Sequence, residues 1–213
     1  MNLNNYVELI ALAVALVFYK DLLRHSIFIY FIPFLIITSI VEIAALGMDR
    51  PVKNVMYNYF LICQFAFYSF AFYKNLNLHK LRKFILFSFL VFLIFFIGTA
   101  FSEGGLHEYQ SYTSILTAFF IVIYICMFFY ETILPKNSYT KLMTNPFLWV
   151  AVGLLFSKLG SVIIFAMFRF LSSIDLQNKG VVVFQTIIKS LNVVLYGSFS
   201  VAFILCRNNK KIS

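Results

Sequence analysis

Seven long apolar stretches run along the chain, and short polar segments separate them. Each stretch is close to the roughly 17 to 25 residues that an α-helix needs to cross about 30 Å of hydrocarbon. Backbone groups in lipid must be paired within a helix or a closed barrel, and these stretches are too long and too uniformly apolar for barrel strands. The pattern predicts an all-α bundle of seven transmembrane helices, in which residues 1–213 form a single transmembrane domain. The predicted spans are about 3–19, 26–47, 55–73, 84–101, 111–134, 145–168 and 181–205.

The first apolar stretch is predicted to be a retained helix. No basic residue precedes its apolar core, and Glu8 lies within its first turns. A cleaved secretory signal would carry a positively charged segment before the core and small residues at a cleavage site.

The distribution of Lys and Arg predicts the orientation of the bundle. If the first polar break is cytoplasmic, 11 of the 17 basic residues lie in cytoplasmic segments and four lie in outer connections. Short cytoplasmic loops of membrane proteins carry such an excess of Lys and Arg. We therefore expect the N-terminus outside and the C-terminus in the cytoplasm.

The composition argues against several classes of function. Hydrophobic residues make up 62% of the chain and charged residues 12%, whereas soluble domains are about 45–50% apolar and about 25% charged. The connections are too short for a soluble catalytic domain, and the common catalytic and nucleotide-binding motifs are missing from the sequence. We expect no enzyme activity, no metal site and no cofactor.

The net charge of +9 is explained by the membrane. The basic residues are spread over four cytoplasmic segments that are too short to form a nucleic-acid recognition fold. Their predicted partner is the lipid bilayer with its anionic headgroups, and no nucleic acid is expected.

Six polar side chains inside the predicted spans are the candidate site residues. Charged and amide groups are costly in hydrocarbon, so they indicate function by default. A rise of about 1.5 Å per residue places all of them except Gln185 in one layer at or just above mid-membrane. They are Glu42, Gln64, Lys158, Gln185, Lys189 and Asn192.

Glu42 is the only acidic residue deep in a span, so we expect it to form an interior ion pair with Lys158 or Lys189. On the last span Gln185, Lys189, Asn192 and Tyr196 recur at spacings of four, three and four, which places them on one helix face. The alternatives for this layer are a small-ligand or ion site, a charge pair that only fixes helix packing, and a proton relay.

Small residues in the sixth span predict a close helix contact, since Gly153, Ser157, Gly160 and Ser161 follow helical spacing. A faint internal parallel also links the first and last three spans. Pro33-Phe34-Leu35 matches Pro146-Phe147-Leu148, and each motif precedes an intramembrane charge. These short matches suggest a 3+1+3 parallel repeat, an arrangement known among transporters.

The chain resembles a family of uncharacterised seven-helix membrane proteins of Bacteroidetes-type bacteria, often encoded near two-component signalling genes. The similar segments are 51–59 (PVKNVMYNY), 145–149 (NPFLW) with 153–155 (GLL), and 192–203. The resemblance implies a multi-pass protein of the bacterial inner, cytoplasmic membrane with a sensory role.

Two function classes follow from these patterns. A sensory, signalling or accessory module would bind a small ligand in the polar layer and act on a cytoplasmic partner through the loop from Lys74 to Lys83 and the C-terminal tail. A small-solute or ion transporter would use the same layer as its substrate site. An opsin-like protein with retinal on Lys189 is a remote alternative. Opsin-like helices of microbes have the pattern Asp-x-x-x-Lys, whereas this chain has Gln185 four residues before Lys189. A homo-oligomer is compatible with each of them.

Overall fold

All of the described secondary structure is helical. The computed structural model describes residues 3–24, 27–101, 105–133, 143–173 and 177–208, with the side chains of 3–5, 165–185 and 208 outside the description. Within these ranges there is no β-strand, so the predicted all-α fold class is confirmed.

Seven of the described helices have 14 or more residues, and a single four-residue turn of helix follows the first. Short 3₁₀ turns at Phe28–Tyr30 and Ala45–Gly47 extend the third helix at both ends. The helices are α1 Leu3–Val17, α2 Tyr19–Leu22, α3 Phe31–Ala44, α4 Arg50–Asn75, α5 His79–Ala100, α6 Ser111–Ile133, α7 Pro146–Ser173 and α8 Gln177–Asn208.

Proline and capping residues mark the starts of two long helices. Asn145 precedes α7, and its Oδ1 accepts a hydrogen bond of 3.0 Å from the backbone N–H of Phe147. Pro146 occupies the first helical position, where a backbone N–H would have no partner within the helix, so its absence in proline costs no hydrogen bond. Pro51 lies at the equivalent early position of α4.

The long helices alternate in direction through the bundle. The ring of Phe147 at the start of α7 lies 5.2 Å from that of Phe72 and 5.1 Å from that of Phe128, near the ends of α4 and α6. Tyr30, just before α3, contacts Phe70 of α4 at 5.1 Å. We call this the Lys74 end of the bundle. The opposite end, where α5 passes to α6 through residues 105–110, is the Tyr109 end.

Among the described residues, six helices are long and apolar enough to cross a membrane, which is the architecture of a multi-pass membrane protein. They correspond to the second through seventh predicted spans. α1 is also apolar but has 15 residues, so it extends over only about 22 Å. It packs along α3 and α8.

α7 and α8 pack closely against each other. A Cβ atom built on Gly153 would lie 2.6 Å from Cβ of Ser198, and one on Gly160 would lie 2.6 Å from the Leu191 side chain. Gly153 has no room for a larger residue, and at Gly160 the Leu191 side chain would have to move, so the predicted close approach at these glycines is confirmed.

Candidate ligand cavity between α4, α6, α7 and α8

A cavity of about 190 Å³ lies inside the bundle, in the half nearer the Tyr109 end. For comparison, an apolar cavity of about 150 Å³ in another protein accommodates benzene. The cavity wall combines apolar side chains with five polar ones. The lining residues are Leu61, Gln64, Tyr109, Ser114, Ile115, Ala118, Lys158, Ser161, Val162, Ile164 and Ile188.

Lys158 places a positive charge on this cavity without an acidic partner. Its Nζ donates a hydrogen bond of 3.4 Å to Oε1 of Gln64 and lies 5.7 Å from the centre of the Tyr68 ring. Among the residues that the structure describes, no carboxylate oxygen lies within 4.0 Å of Lys158 Nζ, so Lys158 forms no ion pair there. A desolvated ammonium with only neutral partners attracts an anion.

Hydroxyl groups surround the same space. The Tyr109 hydroxyl donates a hydrogen bond of 3.2 Å to Oγ of Ser114, and 38% of the Tyr109 surface is exposed. Ser161 donates at 2.7 Å to the backbone carbonyl of Ser157, one helical turn earlier. Because the Tyr109 proton is donated to Ser114, the Ser114 hydroxyl proton is the one that can be donated to a ligand in the cavity.

Asn58 fixes the loop that carries Tyr109. This side chain is fully buried, and its Nδ2 donates to the carbonyls of Leu106 at 2.9 Å and Glu108 at 2.8 Å. Its Oδ1 accepts from the backbone N–H of Gln110 at 3.1 Å. The flanking residues on both sides of Tyr109 are thus tied to α4, which positions the tyrosine at the cavity.

Glu42 does not form the predicted ion pair. Its Oε2 accepts a hydrogen bond of 3.3 Å from the Tyr57 hydroxyl, and in the described part of the chain neither Lys158 nor Lys189 lies within 4.0 Å of it. Depth along a helix axis can be read from the sequence, but the direction in which a side chain points around the axis depends on packing. Equal depth therefore did not bring these charges together.

The structure brings together two of the six predicted site residues, Gln64 and Lys158. Lys189 and Asn192 are half-buried on α8, where Ile188 rather than Lys189 lines the cavity. The side chain of Gln185 lies outside the described residues.

Sequence reasoning missed Tyr109, Ser114 and Ser161 as site residues. Tyr109 precedes α6 and Ser114 lies in its first turn, where polar residues are ordinary, so only contacts between helices reveal their role. Ser161 was assigned to helix packing alone. Within the described ranges, His, Cys, Asp and Glu form no cluster of three suited to a metal ion.

No protein-family model, curated protein or solved structure matches the chain.

Proposed function

We propose that the protein is a membrane sensor or signalling module that binds a small anion in the cavity between α4, α6, α7 and α8. The observation that carries this proposal is Lys158, a lysine on the cavity wall that contacts a neutral amide rather than a carboxylate. A carboxylate or inorganic anion would supply the missing counter-charge. The Ser114 hydroxyl, which accepts from Tyr109, adds a hydrogen-bond donor for its oxygen atoms.

The arrangement of α7 and α8 favours sensing. Lys158 lies on α7, which is packed closely against α8 at Gly153 and Gly160. α8 continues to the Lys74 end, where Arg207 lies 5.6 Å from the ring of Phe18 on the segment between α1 and α2. A ligand that moves α7 would therefore also shift α8 and the surface at the Lys74 end.

In this proposal seven helices span the bacterial inner membrane and the Lys74 end is cytoplasmic. The concentration of basic residues at that end supports the orientation. A cytoplasmic signalling partner would bind the loop from Lys74 to Lys83 and the C-terminal tail, whose residues 209–213 lie outside the described structure. The resemblance to Bacteroidetes-type membrane proteins supports this setting.

Binding is tested with benzoate, which combines a carboxylate with a ring of the size that such a cavity accommodates. A ligand at about 100 times its Kd stabilises the folded state by about 2.7 kcal/mol. We expect benzoate to raise the melting temperature of the purified protein and benzyl alcohol, its uncharged analogue, to have little effect. Equal effects of the two compounds would contradict an anion site.

A transporter is the second candidate, because the cavity lies between helices inside the bundle and the sequence suggests a 3+1+3 repeat. Two measurements separate the candidates. Saturable benzoate flux in proteoliposomes, abolished by Lys158→Met, would favour transport. Benzoate-dependent co-purification of a cytoplasmic kinase or regulator, with no flux, would favour sensing.

A further inference from the structure

Glu8 is another ionisable group inside the bundle, and it does not line the cavity. It lies on α1, is only 2% exposed, and its Oε1 has no hydrogen-bond partner. α1 packs against α3 and α8. A buried carboxylate oxygen without a donor is rare and costly, since burial removes the water that would solvate it.

Glu8 interacts electrostatically with Glu42 of α3, the helix against which α1 packs. Tyr57 and Tyr68 of α4 and Tyr196 of α8 interact with Glu8 as well. In the part of the chain that the structure describes, no Lys or Arg lies within 4.0 Å of either carboxylate. The two acids therefore share one interior region that is faced mainly by tyrosines.

The two carboxylates differ in the neighbouring groups that would stabilise a negative charge on them. Glu42 accepts the hydrogen bond from Tyr57, and it also interacts electrostatically with Lys53, whose Nζ lies 5.9 Å from the centre of the Tyr57 ring. Glu8 has neither kind of support. Two neighbouring carboxylates in a desolvated site do not both ionise, because each ionised group disfavours the charge on the other.

A second polar group without a partner lies on the same helix as Glu42. Ser39 precedes Glu42 by three residues and so lies near the same face of α3. Its Oγ has no hydrogen-bond partner, and the residue is 6% exposed. Polar atoms without a partner thus lie on both α1 and α3, and a proton on Glu8 would remove the cost of burying an unsupported negative charge there.

We propose that Glu8 and Glu42 form a proton-binding pair that holds one proton at neutral pH, on Glu8, while Glu42 is ionised. The proton comes from solvent and is bound by a carboxylate oxygen of Glu8. This site is separate from the Lys158 cavity, and it does not depend on anion binding there.

Infrared spectroscopy of the purified full-length protein tests the pair directly, because a protonated carboxyl group gives a C=O band that a carboxylate lacks. We expect this band in the wild-type protein at neutral pH and its loss in Glu8→Gln. In Glu42→Gln the band remains, and its disappearance on raising the pH begins at a lower pH, since the neighbouring negative charge is gone. Glu131→Gln, which changes a carboxylate at the Lys74 end, serves as the control and leaves the band unchanged.

The proposal is overturned if the wild-type protein shows no such band at neutral pH, or if the band survives in Glu8→Gln. It is also overturned if sodium chloride removes the band, because the occupant would then be a metal cation. Should Glu8→Gln not fold, Glu8→Asp decides: a shifted C=O band supports the assignment, and an unshifted band contradicts it.

Discussion

The two halves of the bundle differ sharply in the side chains that they bury. The half nearer the Lys74 end is filled with aromatic rings, among them Phe31, Phe72 and Phe147. The half nearer the Tyr109 end contains Asn58, Glu8 and the polar cavity around Lys158. A ring packs without any polar partner, whereas each buried polar group needs one.

We therefore expect the aromatic half to contribute mainly to stability and the polar half to contain the proposed binding sites. Ring pairs at 4.5–7 Å contribute roughly 0.5–1.5 kcal/mol each beyond the effect of their burial. The aromatic half therefore fixes how the helices pack. Buried polar atoms without a partner lower stability, and they lie at Glu8 and Gln110 in the polar half and at Ser69 in the aromatic half. Substitutions in the two halves should consequently have different kinds of effect.

The largest loss of stability is expected from Phe72→Ala in the aromatic half. Phe72 is fully buried and contacts the rings of Tyr124, Phe128 and Phe147. Truncation of a buried Phe typically lowers the free energy of unfolding by about 3–5 kcal/mol. Denaturant unfolding in detergent measures this change in the free energy of unfolding. Phe87→Ala, at a position that is 65% exposed on the outside of α5, is the control and should cost much less.

A smaller loss is expected from Gly153→Ala at the contact between α7 and α8. The added methyl group would lie 2.6 Å from Cβ of Ser198, so the helices must separate. Overpacking of this kind costs about 1–3 kcal/mol. Gly197→Ala on α8 is the matched control, because its Cβ would meet nothing within 4 Å. Equal melting temperatures for the two variants would contradict the close contact.

Asn58→Leu should cost about 1–3 kcal/mol, because it leaves the backbone groups of the 105–110 loop without their partners. It should also weaken benzoate binding, since Tyr109 loses its fixed position. Asn54→Ala removes one exposed hydrogen bond to the carbonyl of His107 and is the control. Hydrogen exchange should show faster exchange in the loop of Asn58→Leu only. Unchanged exchange there would show that Asn58 does not hold the loop.

The sequence predicted the helices well, because an apolar run of about 20 residues has few alternatives in a membrane. Gln64 and Lys158 were identified because polar groups stand out in apolar spans. The partner of Glu42 was predicted wrongly: its carboxylate accepts from Tyr57 rather than pairing with a lysine, and the direction of a side chain around its helix axis cannot be read from its depth. Glu8 was noted only as an argument against a signal sequence, since a carboxylate in the first turns of a helix is unremarkable until packing buries it.

The most direct test of the account is calorimetric titration of benzoate into the wild-type protein, Lys158→Met and Lys189→Met. Lys158→Met removes the unpaired charge from the cavity wall while keeping a similar volume, so it should abolish binding without lowering the melting temperature. Lys189→Met removes a half-buried lysine beside the cavity residue Ile188 and should bind like the wild-type protein. Equal affinity in all three proteins, or loss of binding in Lys189→Met alone, would contradict an anion site at Lys158.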